Sequence, residues 1–339
     1  MSKVTYRRSR RPGCLSIVLT LIAIGFVLVW LHDRFNGTLL PESRPSIGEK
    51  RQWGEDAFPA LTEIWSEGQG DTKVVRIPLS GVILLGAEPG FFGGISSADL
   101  ARRGIRRATI DPAVRALILE VDSGGGGITA SDILYHELLR FKQAQPGRKI
   151  IVLCGDIAAS GAYYVALAAD IILAHPTTIT GSLGVMIQTL NIRDLGQFLG
   201  IRDVTIKSGE NKDLLNPFGE MSNEQLDMLQ DVVDAMHERF KQLIVQSRNL
   251  PPETVAELAD GRIFTAAHAV ELGLVDDIGY WDDAVRRLKD MLETEDIIIY
   301  RYEQAFSLRQ FLRGTSYLRP AAWLENLQSP RLMYQWRMD

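Results

Sequence analysis

The 339-residue sequence predicts an α/β fold of repeated βαβ units, with an N-terminal transmembrane helix and a helical C-terminal part. Three observations carry that prediction. Between residues 74 and 220, apolar runs of strand length alternate with stretches of helical periodicity, the pattern of a mostly parallel sheet with right-handed crossovers. Residues 14–31, "CLSIVLTLIAIGFVLVWL", carry no charge. After about residue 220 helical patterns dominate. A chain that is 46% hydrophobic and 23% charged is globular in composition.

The N-terminus comes first. Residues 1–13 form a basic leader with Lys3, Arg7, Arg8, Arg10 and Arg11 and no acid, so the remainder is more acidic than the net charge of −5. An acidic globular part lacks the basic footprint that nucleic acid requires, and no nucleic-acid partner is expected. As a helix, residues 14–31 span roughly 27 Å, close to the hydrocarbon thickness of a bilayer. Trp30 and His32 stand at the far end, where amphipathic rings favour the interface. The charges ahead of the segment predict a cytoplasmic N-terminus and, after a single pass, an extracytoplasmic remainder; in a bacterial cell that is the inner membrane with a periplasmic domain. The following "WLHDRFNG" offers no small-x-small cleavage site, so an uncleaved anchor is expected over a signal peptide. Cys14 and Cys154 lie in the anchor and in an expected buried strand, which gives no disulfide framework.

Residues 33–72, rich in Gly, Pro and charge, read as a stalk with a short helix near 57–66. A catalytic domain is expected over 73–302. "VVRIPLSGVILLG" supplies one or two strands, 98–109 a helix, and "VRALILEVD" (114–122) a buried strand. A helix at 129–143, a strand at 149–154 and a helix at 160–169 follow, then "DIILA" and "SLGVMIQTL" as strands. Helices are expected at 222–247, 251–259, 265–272 and 281–293, and "EDIIIYRY" closes the domain as a strand. The tail, 303–339, is rich in Arg, Leu and aromatics and reads as a membrane-surface segment, a docking segment or a poorly ordered end.

Spacing removes several chemistries. His136-Glu137 and His237-Glu238 each begin H-E-x-x-H, but Arg140 and Lys241 replace the second histidine. No C-x-x-C occurs, and neither a metal nor a cofactor is expected. Of the histidines, His175 is the one best placed for a Ser-His-Asp triad, which stands well behind the other readings.

Three segments hold the candidate chemistry. Ser160, in "DIAASGAYYVALAAD", sits where an apolar strand turns into a helix, and reads as an N-cap or as a nucleophile. It lacks the G-x-S-x-G pattern of a nucleophile elbow. The glycine run of "VDSGGGGITASD" (121–132) follows a buried strand and reads as a turn, a phosphate cradle or an oxyanion hole, with no P-loop lysine. In "TIKSGENKDLLNPF" (205–218), Lys207 reads as a solvated charge. Lys212 becomes a general base if the loop folds into a cleft and the amine loses its hydration.

These segments together resemble the signal peptide peptidase A family of membrane-anchored Ser/Lys serine proteases, in its short form, over about residues 74–300. "TTITGSLGVM" and "DGRIFTAAHAVELGLVDDIG" extend the likeness, and the five motifs keep the family's order. The resemblance implies Ser160 as nucleophile, Lys212 as general base, and an oxyanion hole from the N–H groups of Gly161 and of Gly125 or Gly126. Gly124 stands where the family usually has proline. Ser182 reads as a turn serine or as a third member orienting the lysine. The resemblance further implies a Clp protease/crotonase-like fold, a ring-shaped homo-oligomer, and hydrophobic peptide substrates such as remnant signal peptides. Two other functions share the scaffold: a crotonase-like acyl-thioester enzyme that uses the glycine amides alone, and an inert membrane scaffold.

Overall fold

The computed structural model describes residues 59, 61–86 and 95–304, and the backbone of 332–335. The expected leader, the anchor at 14–31 and most of the stalk lie outside the described residues. Among those described, no helix is long and apolar enough to cross a membrane.

The chain begins with strands β1 (Leu61–Gly68) and β2 (Thr72–Ser80). Helix α1 (Ser97–Ile110) leads to β3 (Val114–Ser123), β4 (Gly125–Gly127) and α2 (Ile128–Ala144). Strand β5 (Lys149–Ala159), helix α3 (Gly161–Ala166) and β6 (Ile171–Ala174) follow. Then come β7 (Ile179–Gly181), β8 (Met186–Ile187), α4 (Arg193–Phe198) and a 3-10 turn at Glu210–Asp213. The long α5 (Asn223–Arg248) opens the helical part, with α6 (Pro252–Leu258), β9 (Ile263–Thr265) and α7 (Ala266–Glu271) after it. Strand β10 (Asp277–Ile278), α8 (Trp281–Leu292), β11 (Ile297–Gln304) and β12 (Leu332–Gln335) complete the order.

The main sheet runs β1-β11-β2-β3-β5-β6-β10, with β7 also paired to β5 and β9 to β7; it is parallel except where β1 pairs antiparallel with β11 and β9 with β7. The expectation of βαβ units in a mostly parallel sheet is met. Period two explains the layering. Leu117, Leu119, Ile150 and Val152 face a core shared with α1, α2, α3 and α5, whereas Ala116, Ile118 and Ile151 face Ala284 and Leu288 of α8. Helices therefore cover both faces, which is why β3 and β5 are almost continuous apolar runs.

Three elements differ from expectation. Residues 61–68 form a strand, not the end of a stalk helix, because Leu61–Gly68 finds a partner more than two hundred positions away in β11. The strand expected at 149–154 continues to Ala159. Its first half pairs with β6 and its last three residues pair with β7, so β5 leaves one neighbour and takes another before the chain turns. Of the run expected as one strand over 182–190, only Met186–Ile187 is strand, and β7 ends just before the run begins.

Candidate active site

Ser160 lies between the last residue of β5 and the first of α3, with φ 53° and ψ −116°. Positive φ in a residue with a Cβ is strained, at a cost of about 1–3 kcal/mol. Two backbone bonds impose it: the Ser160 N–H donates to the Gly181 carbonyl at 2.8 Å, and the Tyr164 N–H donates to the Ser160 carbonyl at 2.9 Å. The hydroxyl makes no capping bond to α3. The N-cap explanation therefore fails, and the serine occupies a strained strand-turn-helix corner of the kind that presents nucleophiles. It is buried at 1% exposure.

Beside it, β3 runs through Ser123 and Gly124 into the glycine strand. Ile83 donates to the Gly125 carbonyl at 2.9 Å and accepts from the Gly127 N–H at 2.9 Å. Successive residues of a strand present their amides to opposite sides, so Gly126 turns its N–H and carbonyl away from Ile83. The Gly125 N–H is already engaged with Ser123 Oγ at 3.0 Å. Of the two glycines left open by the sequence, Gly126 is therefore the one with an amide directed at the far edge of β4. Glycine is required there, because a Cβ on Gly126 would come within 2.3 Å of the Ile83 carbonyl oxygen. Helix α3, whose first residue is Gly161, packs against β4.

Ser182 adjoins this corner through Gly181, the acceptor for Ser160. It too has a positive φ, 51°, and its N–H donates to the Arg262 carbonyl at 2.7 Å. Lys212 is placed differently from the expectation of a cleft. It lies exposed on the 3-10 turn, and among the described residues its amine has no partner and no hydrogen bond joins it to Ser160. Its surroundings hold to one another: Ile192 N–H to the Pro217 carbonyl at 2.7 Å, Asn216 Nδ2 to Asp203 at 2.8 Å, Lys207 Nζ to Asp213 at 2.7 Å. The same arm exposes Phe198 at 86%, Val204 at 83% and Ile206 at 97%.

No histidine among the described residues hydrogen-bonds Ser160. His175 packs edge-on against Tyr280 at 4.6 Å. Cys154 is fully buried, and burial pushes its thiol up to about 12, which removes it as a nucleophile.

A supporting cluster escaped the sequence reading. Tyr164, one turn along α3 from Ser160, donates to Asp132 Oδ1 at 2.6 Å, and Arg239 of α5 donates to the same oxygen at 2.5 Å. Asp132 lies on α2, directly after the glycine strand. Burial raises its carboxyl pKa, but the Arg239 and Tyr164 donors outweigh that and hold it below the ordinary range. The carboxylate thus ties the serine helix, the glycine segment and α5 together.

Residues 142–295 match peptidase family S49. The putative signal peptide peptidase SppA of Enterococcus faecium is 36% identical over 243 residues, covering 71% of this chain and 70% of that protein. The chain belongs to peptidase family S49. The S49 match includes Ser160, Ser182 and Lys212, while the glycine strand precedes it. Protease 4 of Salmonella typhi is 32% identical over 213 residues, or 62% of this chain and 33% of that longer protein. Among solved structures, a ClpP1 mutant from Listeria monocytogenes aligns at TM-score 0.40 and 16% identity, over 62% of this chain and 94% of that one. The likeness to signal peptide peptidase A expected from the five motifs stands.

Proposed function

We propose that this S49 serine peptidase is a membrane-anchored endopeptidase with Ser160 as nucleophile and Lys212 as general base, acting in a ring-shaped homo-oligomer of Clp protease-like subunits. The observation that carries the reading is the strained Ser160 corner, whose hydroxyl makes no capping bond to the helix, set beside a strand whose Gly126 amide is turned away from Ile83. In the reaction the neutral Lys212 amine takes the hydroxyl proton as Ser160 Oγ attacks the scissile carbonyl. The Gly161 and Gly126 N–H groups hold the oxyanion. The protonated lysine returns its proton to the leaving amine, and water then hydrolyses the acyl-enzyme ester. Ser182, one residue from the carbonyl that anchors Ser160, orients the amine.

The exposed setting of Lys212 and the apolar side chains around it support supply of the base by a neighbouring copy. Covering that arm strips water from Phe198, Val204, Ile206 and the lysine together. The anchor expected at 14–31 holds the domain at the membrane, which fits hydrophobic peptides such as remnant signal peptides as substrates. An acyl-thioester enzyme relying on glycine amides alone leaves the strained serine without a purpose.

A fluorophosphonate probe tests the assignment. Covalent labelling is expected at Ser160 and is expected to vanish in Lys212→Ala. Mixing Ser160→Ala chains with Lys212→Ala chains then restores peptide hydrolysis where the two residues come from different copies. A folded, assembled protein that never labels refutes the reading, and absent complementation refutes supply in trans.

A further inference from the structure

The last two residues of β3 each tie down one half of the site through a side chain bonded to backbone. Asp122 and Ser123 point to opposite sides of the strand, as period two requires; Asp122 is exposed, whereas Ser123 is buried at 2% exposure. Opposite them β5 is irregular. Val121 pairs with Cys154 and Ser123 with Ala158, so Asp122 faces the whole of Gly155, Asp156 and Ile157. The Ile157 N–H that closes this bulge donates to Asp122 Oδ1 at 3.1 Å. From Ile157 onward β5 follows β7, residue for residue, as far as Gly181, whose carbonyl holds the Ser160 N–H. Gly155 leaves room for the carboxylate, since a Cβ there would lie 3.2 Å from Asp122 Cβ.

Ser123 acts on the other half. Its hydroxyl donates to the Gly81 carbonyl at 2.5 Å and accepts from the Gly125 N–H at 3.0 Å. Gly81 in turn donates its N–H to the Asp122 carbonyl at 3.0 Å. One hydroxyl thereby pins the exit of β2 to the start of β4, at the point where Gly125, with φ 99°, turns the chain into the glycine strand.

We infer that Asp122 and Ser123 are positioning residues for peptide-bond hydrolysis: Asp122 sets the approach of the Ser160 nucleophile, and Ser123 sets the aim of the Gly126 oxyanion donor. The inference rests on the proposed catalytic reading. Both side chains act through backbone, not on substrate. A serine at positive φ is held there by its surroundings, so its place depends on how β5 is steered, and the bulge is where the steering is done. The property required at residue 122 is an acceptor oxygen at that spot; the negative charge is incidental. At residue 123 it is a hydroxyl that donates and accepts at once.

Hydrogen exchange and fluorophosphonate labelling of the full chain test this with Asp122→Ala, Asp122→Asn and Ser123→Ala. Asp122→Ala is expected to speed exchange at Ile157 and to lower the maximal labelling rate of Ser160 about 10²-fold, the penalty of a displacement near 1 Å. The half-saturating probe concentration is expected to stay unchanged. Asp122→Asn keeps the acceptor oxygen and is expected to restore both readouts. Ser123→Ala is expected to slow labelling by a similar factor while speeding exchange at Gly125 and not at Ile157. Labelling at the wild-type rate removes the role of the residue concerned. An Asp122→Asn as slow as Asp122→Ala overturns the acceptor argument, and exchange that speeds up throughout β3 and β5 reduces the pair to a general part of the fold. Wild-type protein that never labels refutes the peptidase reading instead, and the exchange pattern alone then decides whether the two tethers hold β5 and β4.

Discussion

Adjacent glycines in β4 should behave in opposite ways when given a methyl group. At Gly126 a Cβ would lie 2.3 Å from the Ile83 carbonyl oxygen and 2.6 Å from its nitrogen, both backbone atoms that no rotamer change can move. Relief requires β4 to draw about 1 Å away from Ile83, which breaks or stretches the two 2.9 Å bonds at Gly125 and Gly127. At about 0.5–1.5 kcal/mol per bond, Gly126→Ala should cost about 1–3 kcal/mol of stability. The same shift misdirects the Gly126 amide, and under the proposed reaction, in which that amide is an oxyanion donor, its loss costs about 10²–10³ in turnover. At Gly127 the nearest atoms are Leu84 Cδ2 at 3.5 Å and Ala130 Cβ at 3.7 Å, which is ordinary contact. Gly127→Ala should therefore be neutral or stabilise by up to about 1 kcal/mol through the unfolded chain. Urea unfolding gives the first quantity, and the rate of fluorophosphonate labelling of folded protein gives the second. If Gly126→Ala matches Gly127→Ala in both assays, the orientation assigned to β4 is wrong.

Ser160→Gly should abolish labelling while raising stability by about 1 kcal/mol in urea unfolding, because glycine accepts φ 53° without the strain that serine carries. Equal or lower stability would mean that the corner is not strained. Tyr164→Phe removes a hydrogen bond to an ionised carboxylate and should cost about 1.5–3 kcal/mol, with slower labelling of Ser160; an unchanged labelling rate would detach Tyr164 from the site. The depressed Asp132 carboxyl contributes stability that is fully present above the ordinary carboxylate pKa and is lost as pH falls through its lower folded value. Arg239→Gln should flatten that acid limb in thermal unfolding measured against pH, and a limb of unchanged slope would remove Asp132 as its source.

The parts of the fold that were legible are those whose pattern is local. Ala116–Leu119 and Ile150–Val152 are buried on both faces and read as continuous apolar runs. The capping box of Ser222 with Gln225 marks the start of α5 near the expected residue. Illegible parts depend on distant partners. Leu61–Gly68 is polar enough to pass for a stalk until β11 pairs with it. The break between β7 and β8 follows from Ser182 at φ 51°, held by Arg262. At the site, the place of Ser160 in the chain was readable but its strain was not, since Gly181 imposes it. Choosing Gly126 over Gly125 needed Ile83 and Ser123, both invisible in a run of four glycines. The Asp132-Tyr164-Arg239 cluster carried no sequence signal beyond three ordinary helical residues.

Ser160 is buried and strained, whereas Lys212 is exposed to solvent. Under the proposed assignment the single chain provides no hydrogen bond between the two, so the base has to reach the serine from a neighbouring copy. Joining them depends on covering the arm. Fully burying Leu190, Phe198, Val204 and Ile206, all more than two-thirds exposed, yields roughly 6–12 kcal/mol at about 1.5–3 kcal/mol per side chain. Association costs roughly 4–15 kcal/mol. The two are comparable, so assembly should be reversible, and closing a ring should tip the balance because each copy then uses two contacts. Specific activity should accordingly rise with protein concentration and fall on dilution, in parallel with the mass measured by light scattering. Ile206→Glu should shift both curves to higher concentration without moving the unfolding transition of the single chain. Activity per chain that stays constant while the assembly dissociates would show that each chain supplies its own base.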